Sequence, residues 1–220
     1  MLNPHVDQIY CVNLKRRADR KERFLKRLAE TGTDTSKLTF IEAVDGKELK
    51  EVPKEFNHPW PPHQSPSAYG CQRSHVNTIQ DAKDNGYETI LIFEDDVTFR
   101  PNFQKMATAF FENVPNDWQS IFLGANITNA GFGHLNPVND FCAQGLGYTT
   151  HSYLLKKSLF DIILLWGDVM YDTAIDIFYA NAIQPSDTNY FAYPLLCSQE
   201  PGVSDVENRE VDHRAILGNF

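Results

Sequence analysis

Thr89-Ile90-Leu91-Ile92-Phe93-Glu94-Asp95-Asp96 decides how this chain is read. Four large apolar residues follow one another without a polar break and run straight into three carboxylates. A strand that is apolar at every position is buried on both faces, as a strand inside a layered α/β sheet is. Ligands bind beyond the carboxyl ends of such strands, where these acids lie. Alternate side chains of a strand point to opposite faces, so the spacing lets Glu94 and Asp96 converge while Asp95 points elsewhere. Like charges about 4 Å apart repel by roughly 4 kcal/mol at an effective dielectric near 20. A hard divalent cation, Mg²⁺ or Mn²⁺, would relieve that repulsion and could also bridge substrate phosphates. A solvated acidic turn is the alternative reading of the same triplet.

Outward from this strand, the patterns alternate. Ile9–Leu14 and Leu38–Val44 read as strands, as does Ser120–Leu123. Ala18–Thr31, with its Phe24, Leu25 and Leu28 stripe, Ser67–Asn85 and Pro101–Val114 read as helices. This order predicts an α/β fold with a mainly parallel central sheet. Pro53, Pro59, Pro61, Pro62 and Pro66 mark an ordered surface loop or lid. Beyond residue 125 the chain is loop-rich, punctuated by Gly131, Gly133, Gly145 and Gly147, with helices expected over Lys157–Trp166 and Asp172–Ala182 and a strand over Tyr190–Cys197. At 220 residues the chain suits one domain, about 7–125 forming a nucleotide- and metal-binding half and about 126–220 an acceptor-side half.

The formal net charge of −9 argues against nucleic acid or anionic membranes as partners. No apolar run approaches the roughly 20 residues that span a bilayer. The N-terminus lacks the features of a signal peptide, so a cytoplasmic location is the expectation. Cys11, Cys71, Cys142 and Cys197 show no C-x-x-C spacing and read as buried thiols. Against the acidic background stands a basic island from Lys15 to Arg27. Arg16, Arg17 and Arg20, just after the first strand, are candidates to hold a diphosphate or uracil-ribose group. Lys21, Arg23, Lys26 and Arg27 read as the wet face of the first helix.

Ile9-Tyr10-Cys11-Val12-Asn13-Leu14 with Arg17, Asp19 and Arg20 resembles the opening of glycosyltransferase family 25. Further segments resemble that family in order: Ala43-Val44-Asp45-Gly46, Gly70-Cys71-Gln72-Arg73-Ser74-His75, Ile92-Phe93-Glu94-Asp95-Asp96-Val97, His151-Ser152-Tyr153-Leu154, and Gln199-Glu200-Pro201-Gly202-Val203-Ser204-Asp205. The resemblance implies a GT-A fold, a UDP-sugar donor (often UDP-galactose), a divalent metal and inversion at the anomeric carbon. It implies a donor site drawn from Asn13, Leu14, Arg16, Arg17, Arg20, Asp45, Ser74, His75, Glu94, Ser204 and Asp205. His75 and His151 read equally well as satisfied core histidines, and Ser204 and Asp205 as turn residues.

For the metal, the candidates are Glu94, Asp95 and Asp96, with His213 as a late ligand or a surface histidine. Trp60 could stack on a sugar. An inverting enzyme needs a base near the acceptor hydroxyl. Asp172 and Asp176, four apart and so on one helix face, are the candidates, Asp172 being preferred because helix starts often face the site. As an N-cap it would be purely structural. The acceptor is a glycan, a lipid-linked sugar or a protein. Two other classes compete: a catalytically silent nucleotide- or sugar-binding protein, and a metal-dependent phosphoester hydrolase.

Overall fold

A computed structural model describes residues 2–56, 58–59, 62–63, 65–127, 134–170 and 172–212. In chain order the elements are β1 (Gln8–Asn13), α1 (Ala18–Glu30), β2 (Leu38–Glu42), β3 (His58–Pro59), β4 (Pro62–His63), α2 (Pro66–Asp84), β5 (Thr89–Glu94) and β6 (Val97–Phe99). They continue with α3 (Phe103–Asn113), β7 (Ser120–Phe122), β8 (His134–Pro137), β9 (Cys142–Leu146), β10 (Ser152–Lys156), α4 (Phe160–Leu165) and α5 (Ile175–Phe178). The last four are β11 (Asn189–Ala192), β12 (Cys197–Gln199), β13 (Gly202–Ser204) and β14 (Arg209–Val211).

Eight strands form one sheet in the order β2-β1-β5-β10-β7-β11-β9-β8. The pairings β2-β1, β1-β5 and β7-β11 are parallel, and β10 and β9 run against their neighbours. Six of the eight strands therefore point the same way, in an α/β fold of the GT-A type.

The apolar run of β5 is explained by burial on both faces. Leu91 and Phe93 pack with Phe24 and Leu28 of α1 and Phe103, Ala107 and Phe110 of α3. Ile90 and Ile92 pack on the other face with Val76 and Ile79 of α2 and Phe160 and Ile163 of α4. Each such side chain, fully removed from water, contributes about 1.5–3 kcal/mol.

Two of the short motifs interlock. Val44 N donates to Ser74 Oγ, and Ser74 Oγ–H donates to the Gly70 carbonyl. A Cβ on Gly70 would sit 2.5 Å from Val44 O and 3.0 Å from Gly46 N, while one on Gly46 would sit 2.4 Å from the Pro66 carbonyl. Glycine at both positions lets the turn after β2 lie directly on the start of α2. Since the opposing atoms are backbone, Gly70→Ala is expected to lower stability by about 1–3 kcal/mol, the usual cost of overpacking. A chemical-denaturation midpoint unchanged from wild type would contradict this.

Two expectations for the C-terminal half are corrected. The second expected helix begins at Ile175 with Ala174 as its N-cap, so Asp172 is neither helical nor a cap, and it does not share a helix face with Asp176. The expected strand over Tyr190–Cys197 is two strands, β11 in the large sheet and β12 paired with β6. Among the described residues no helix is long and apolar enough to cross a membrane.

Candidate active site

The sheet order puts two chain segments at one place. Because β10 runs antiparallel to β5, with Ser152 opposite Phe93, the residues entering β10 meet the carboxyl end of β5. Glu94 N donates to the His151 carbonyl at 3.0 Å, and Thr150 Oγ1 donates to Glu94 Oε1 at 2.8 Å. Thr149 N donates to Asp176 Oδ2 at 3.2 Å. Successive residues thus hold two carboxylates from distant elements. Thr149 does so at φ 71°, a left-handed conformation that is unusual for a β-branched residue and is found where surrounding structure enforces it.

The acidic triplet is split in a different way from the alternation expected of it. The strand ends at Glu94, and Asp95 and Asp96 form a turn before β6, so strand alternation no longer applies to them. Glu94 faces α2, with Oε1 3.4 Å from His75 Nε2. Asp95 and Asp96 instead converge on Arg20 Nη1, at 3.1 and 3.3 Å. Asn13 Nδ2 donates to Asp95 Oδ2 at 2.6 Å, and Gln199 Nε2 reaches Asp96 Oδ1 at 3.5 Å. Burial, then the charges of Glu94 and Asp95, pushes Asp96 up to about 7. Burial also raises Asp95 against the pull of Arg20 and Asn13. For Glu94 burial is outweighed by His75, His151 and Thr150, and its carboxyl is held below the usual range.

Arg16, Arg17 and Arg20 come together beside these acids, each already paired. Arg16 bonds Asp45 and Asp205, Arg17 bonds Asp19 and Asp205, and Arg20 also donates to the Val203 carbonyl at 2.7 Å. Arg16 holds Asp45 below the usual carboxylate range; at Asp205 the two arginines outweigh burial and do the same. With Arg23, which also pairs with Asp19, four arginines here face five carboxylates, Asp19, Asp45, Asp95, Asp96 and Asp205. The cluster is therefore short of positive charge. A shallow cleft next to Asp45 and Asp205 is lined by Gly46, Lys47, Ser65, Ser67, Glu207 and Asn208.

Other expected site residues have structural work. Ser74 joins α2 to the turn after β2. Ser204 Oγ accepts from Glu207 N, as a turn residue does. Leu14 O accepts from Arg17 N in the turn that presents the arginines. His151 is buried, with Nδ1 2.9 Å from Thr149 Oγ1. Asp172 is exposed and Asp176 half-buried. Arg27, expected on a wet face, instead donates to the Asp95 carbonyl at 2.8 Å and pairs with Glu200. His213 and Trp60 lie outside the described residues. Sequence reasoning did not find Thr149 and Thr150, which carry no motif. It also read Cys71 as a plain buried thiol, although its spacing of four from His75 on a helix was visible.

The profile of glycosyltransferase family 25 (LPS biosynthesis protein) matches residues 6–131. Human procollagen galactosyltransferase 2 is 31% identical over 131 residues, covering 54% of this chain and 20% of that protein. Human inactive glycosyltransferase 25 family member 3 is 28% identical over 171 residues, covering 68% of this chain and 27% of that protein. The chain thus spans about a fifth to a quarter of the length of these relatives. Among solved structures, a glycosyltransferase involved in glycosylating the major capsid of PBCV-1 superposes with a TM-score of 0.52 at 15% identity, over 91% of this chain and 95% of that one. That likeness bears on the fold alone. With more than half its length matched by the family profile, the chain belongs to glycosyltransferase family 25.

Proposed function

We propose that this chain transfers a sugar, galactose or glucose in the first instance, from a UDP-sugar to a hydroxyl of a glycan, lipid-linked or protein acceptor. The observation that carries the reading is the convergence of Arg16, Arg17 and Arg20 with Asp95 and Asp96 at the carboxyl ends of β1 and β5. A diphosphate brings further negative charge to a cluster already short of cations. The donor chemistry fits a hard divalent ion: carboxylate oxygens of Asp96 and Asp95, with a carboxyl at Asp96 that burial and neighbouring negative charge push up to about 7. When bound, Mn²⁺ or Mg²⁺ would supply Lewis-acid stabilisation of the charge on departing UDP. Arg16, Arg17 and Arg20 would exchange their carboxylate partners for phosphate oxygens and hold the donor in place. Asp176, fixed by the amides of Thr149 and Ile177, would take the proton of the attacking hydroxyl on the face opposite the leaving group.

The direct test is UDP release from a panel of UDP-sugars with Mn²⁺, with and without simple sugar acceptors. Release from one donor supports the reading. UDP-dependent stabilisation without release from any donor would favour a silent binding protein, a reading that relatives named inactive keep open. Within the basic cluster, Arg20→Ala is expected to weaken UDP binding by about 1–3 kcal/mol, the range for a charged hydrogen bond. Unchanged UDP affinity by calorimetry would remove Arg20 from the donor site.

A further inference from the structure

Glu94 also belongs to a second group of metal-binding atoms, shared with α2. Cys71 and His75 lie one helical turn apart on α2, and the ligand atoms of Cys71, His75 and Glu94 fall within 4.8 Å of one another. His75 is fully buried, and its Nδ1 is tied to Tyr153 OH at 2.8 Å. Its Nε2 has no hydrogen-bond partner among the described residues, although Glu94 Oε1 is 3.4 Å away. If Nδ1 donates to Tyr153, the Nε2 lone pair faces a carboxylate oxygen; if Tyr153 donates, the Nε2 proton is buried without an aligned acceptor. A cation beside Nε2 satisfies it, and also sits between a thiol sulfur and a carboxylate.

We infer that Cys71, His75 and Glu94 form a second cation site, for a borderline-soft divalent ion such as Zn²⁺, distinct from the carboxylate site at Asp96. Mixed sulfur, nitrogen and oxygen donors select such an ion over Mn²⁺ or Mg²⁺. The outer contacts are those that ligands of this kind carry: Tyr153 orients the imidazole, and Thr150 Oγ1 holds Glu94 Oε1. Tetrahedral bonds near 2.0–2.3 Å put ligand atoms roughly 3.3–3.8 Å apart; Nε2 and Glu94 Oε1 already have that spacing at 3.4 Å, and the sulfur has to close by up to about an ångström. Cys71 is partly exposed and the Glu94 side chain is 22% exposed, which leaves a path in and room for a water in the fourth position. Loading releases the Cys71 proton to solvent, since the ligand is the thiolate. Such an ion would pin α2 to the end of β5.

Co²⁺, added to the chelator-stripped full chain, reports thiolate ligation directly through a sulfur-to-metal charge-transfer absorption in the near ultraviolet. The expected result is that band at one equivalent, displaced by Zn²⁺, and lost in both Cys71→Ala and His75→Ala. Zn²⁺ should raise the melting temperature of the wild type but not of Cys71→Ala. A wild-type protein without the band overturns the site, whether or not the variants fold. A band that survives in Cys71→Ala overturns it too. Asp96→Asn separates the two readings: it should keep the cobalt band while losing Mn²⁺-assisted UDP binding, so either assignment can fail without the other.

Discussion

Asn at position 96 is expected to abolish metal-assisted UDP binding and sugar transfer together. Asp96 is half-buried beside Glu94 and Asp95, and burial with those two charges pushes it up to about 7, so a bound cation favours its carboxylate form. Its loss should slow turnover by at least about 10²–10³-fold, the scale of removing one group aimed at charge developing in a transition state. The control is stability without metal. A group whose folded-state pKa is raised destabilises the fold when ionised, a penalty that grows as pH rises from about 4 to about 7. The metal-free Asn variant should therefore melt no lower than wild type at pH 8. A variant that loses activity because it unfolds would show the opposite. The same reasoning fixes a pH dependence. Below about 7 a proton competes with the metal for Asp96, so apparent Mn²⁺ affinity should fall by up to about tenfold per pH unit, and flat affinity between pH 5 and 8 would place the metal elsewhere.

Asp176→Asn should separate chemistry from binding. A general base typically contributes about 10²–10⁴-fold to rate. Thr149 N donates to Asp176 Oδ2 and Ile177 N to Oδ1, so Asn keeps one of the two acceptors. Donor affinity should survive while kcat collapses, and a melting temperature measured alongside shows whether the lost bond costs the fold. Asp172→Asn is the comparison, expected to be near wild type because that residue is exposed and outside the helix. The measurement is kcat and KM for the donor in all three proteins. Near-normal kcat in Asp176→Asn would assign the base elsewhere.

The parts of this molecule that could be read from sequence are those whose signal is local. β5 announced itself because burial on both faces demands an unbroken apolar run, and α1 because Phe24 and Leu28 repeat at helical spacing. The arginines after β1 and the acids after β5 could be placed at one edge because β1 and β5 are parallel neighbours. What could not be read depends on distant pairing. Ser152–Lys156 leads without a break into Lys157–Leu159 and α4, and nothing local marks it as a central strand. Without β10 in place, Thr149 and Thr150 had no reason to be linked to Glu94 and Asp176. The split of the acidic triplet was hidden by the turn at Asp95, where strand periodicity stops. Arg27 was misplaced because its partner is a backbone carbonyl brought in by the tertiary fold.

The antiparallel insertion of β10 has a consequence for how the chain must be assembled. The family-matched region ends at residue 131, before β10 begins. A fragment cut there would present β5 with a bare row of amides and carbonyls on one edge, an invitation to intermolecular pairing. Closing that edge requires Ser152 to find Phe93 across a stretch that includes α3 and four strands, a contact of high sequence separation that forms slowly. Glu94 therefore acquires Thr150 and His151 late in folding, while Asp95 and Asp96 meet Arg20 and Asn13 from the early part of the chain. The matched region alone is expected to aggregate instead of folding as a smaller working enzyme.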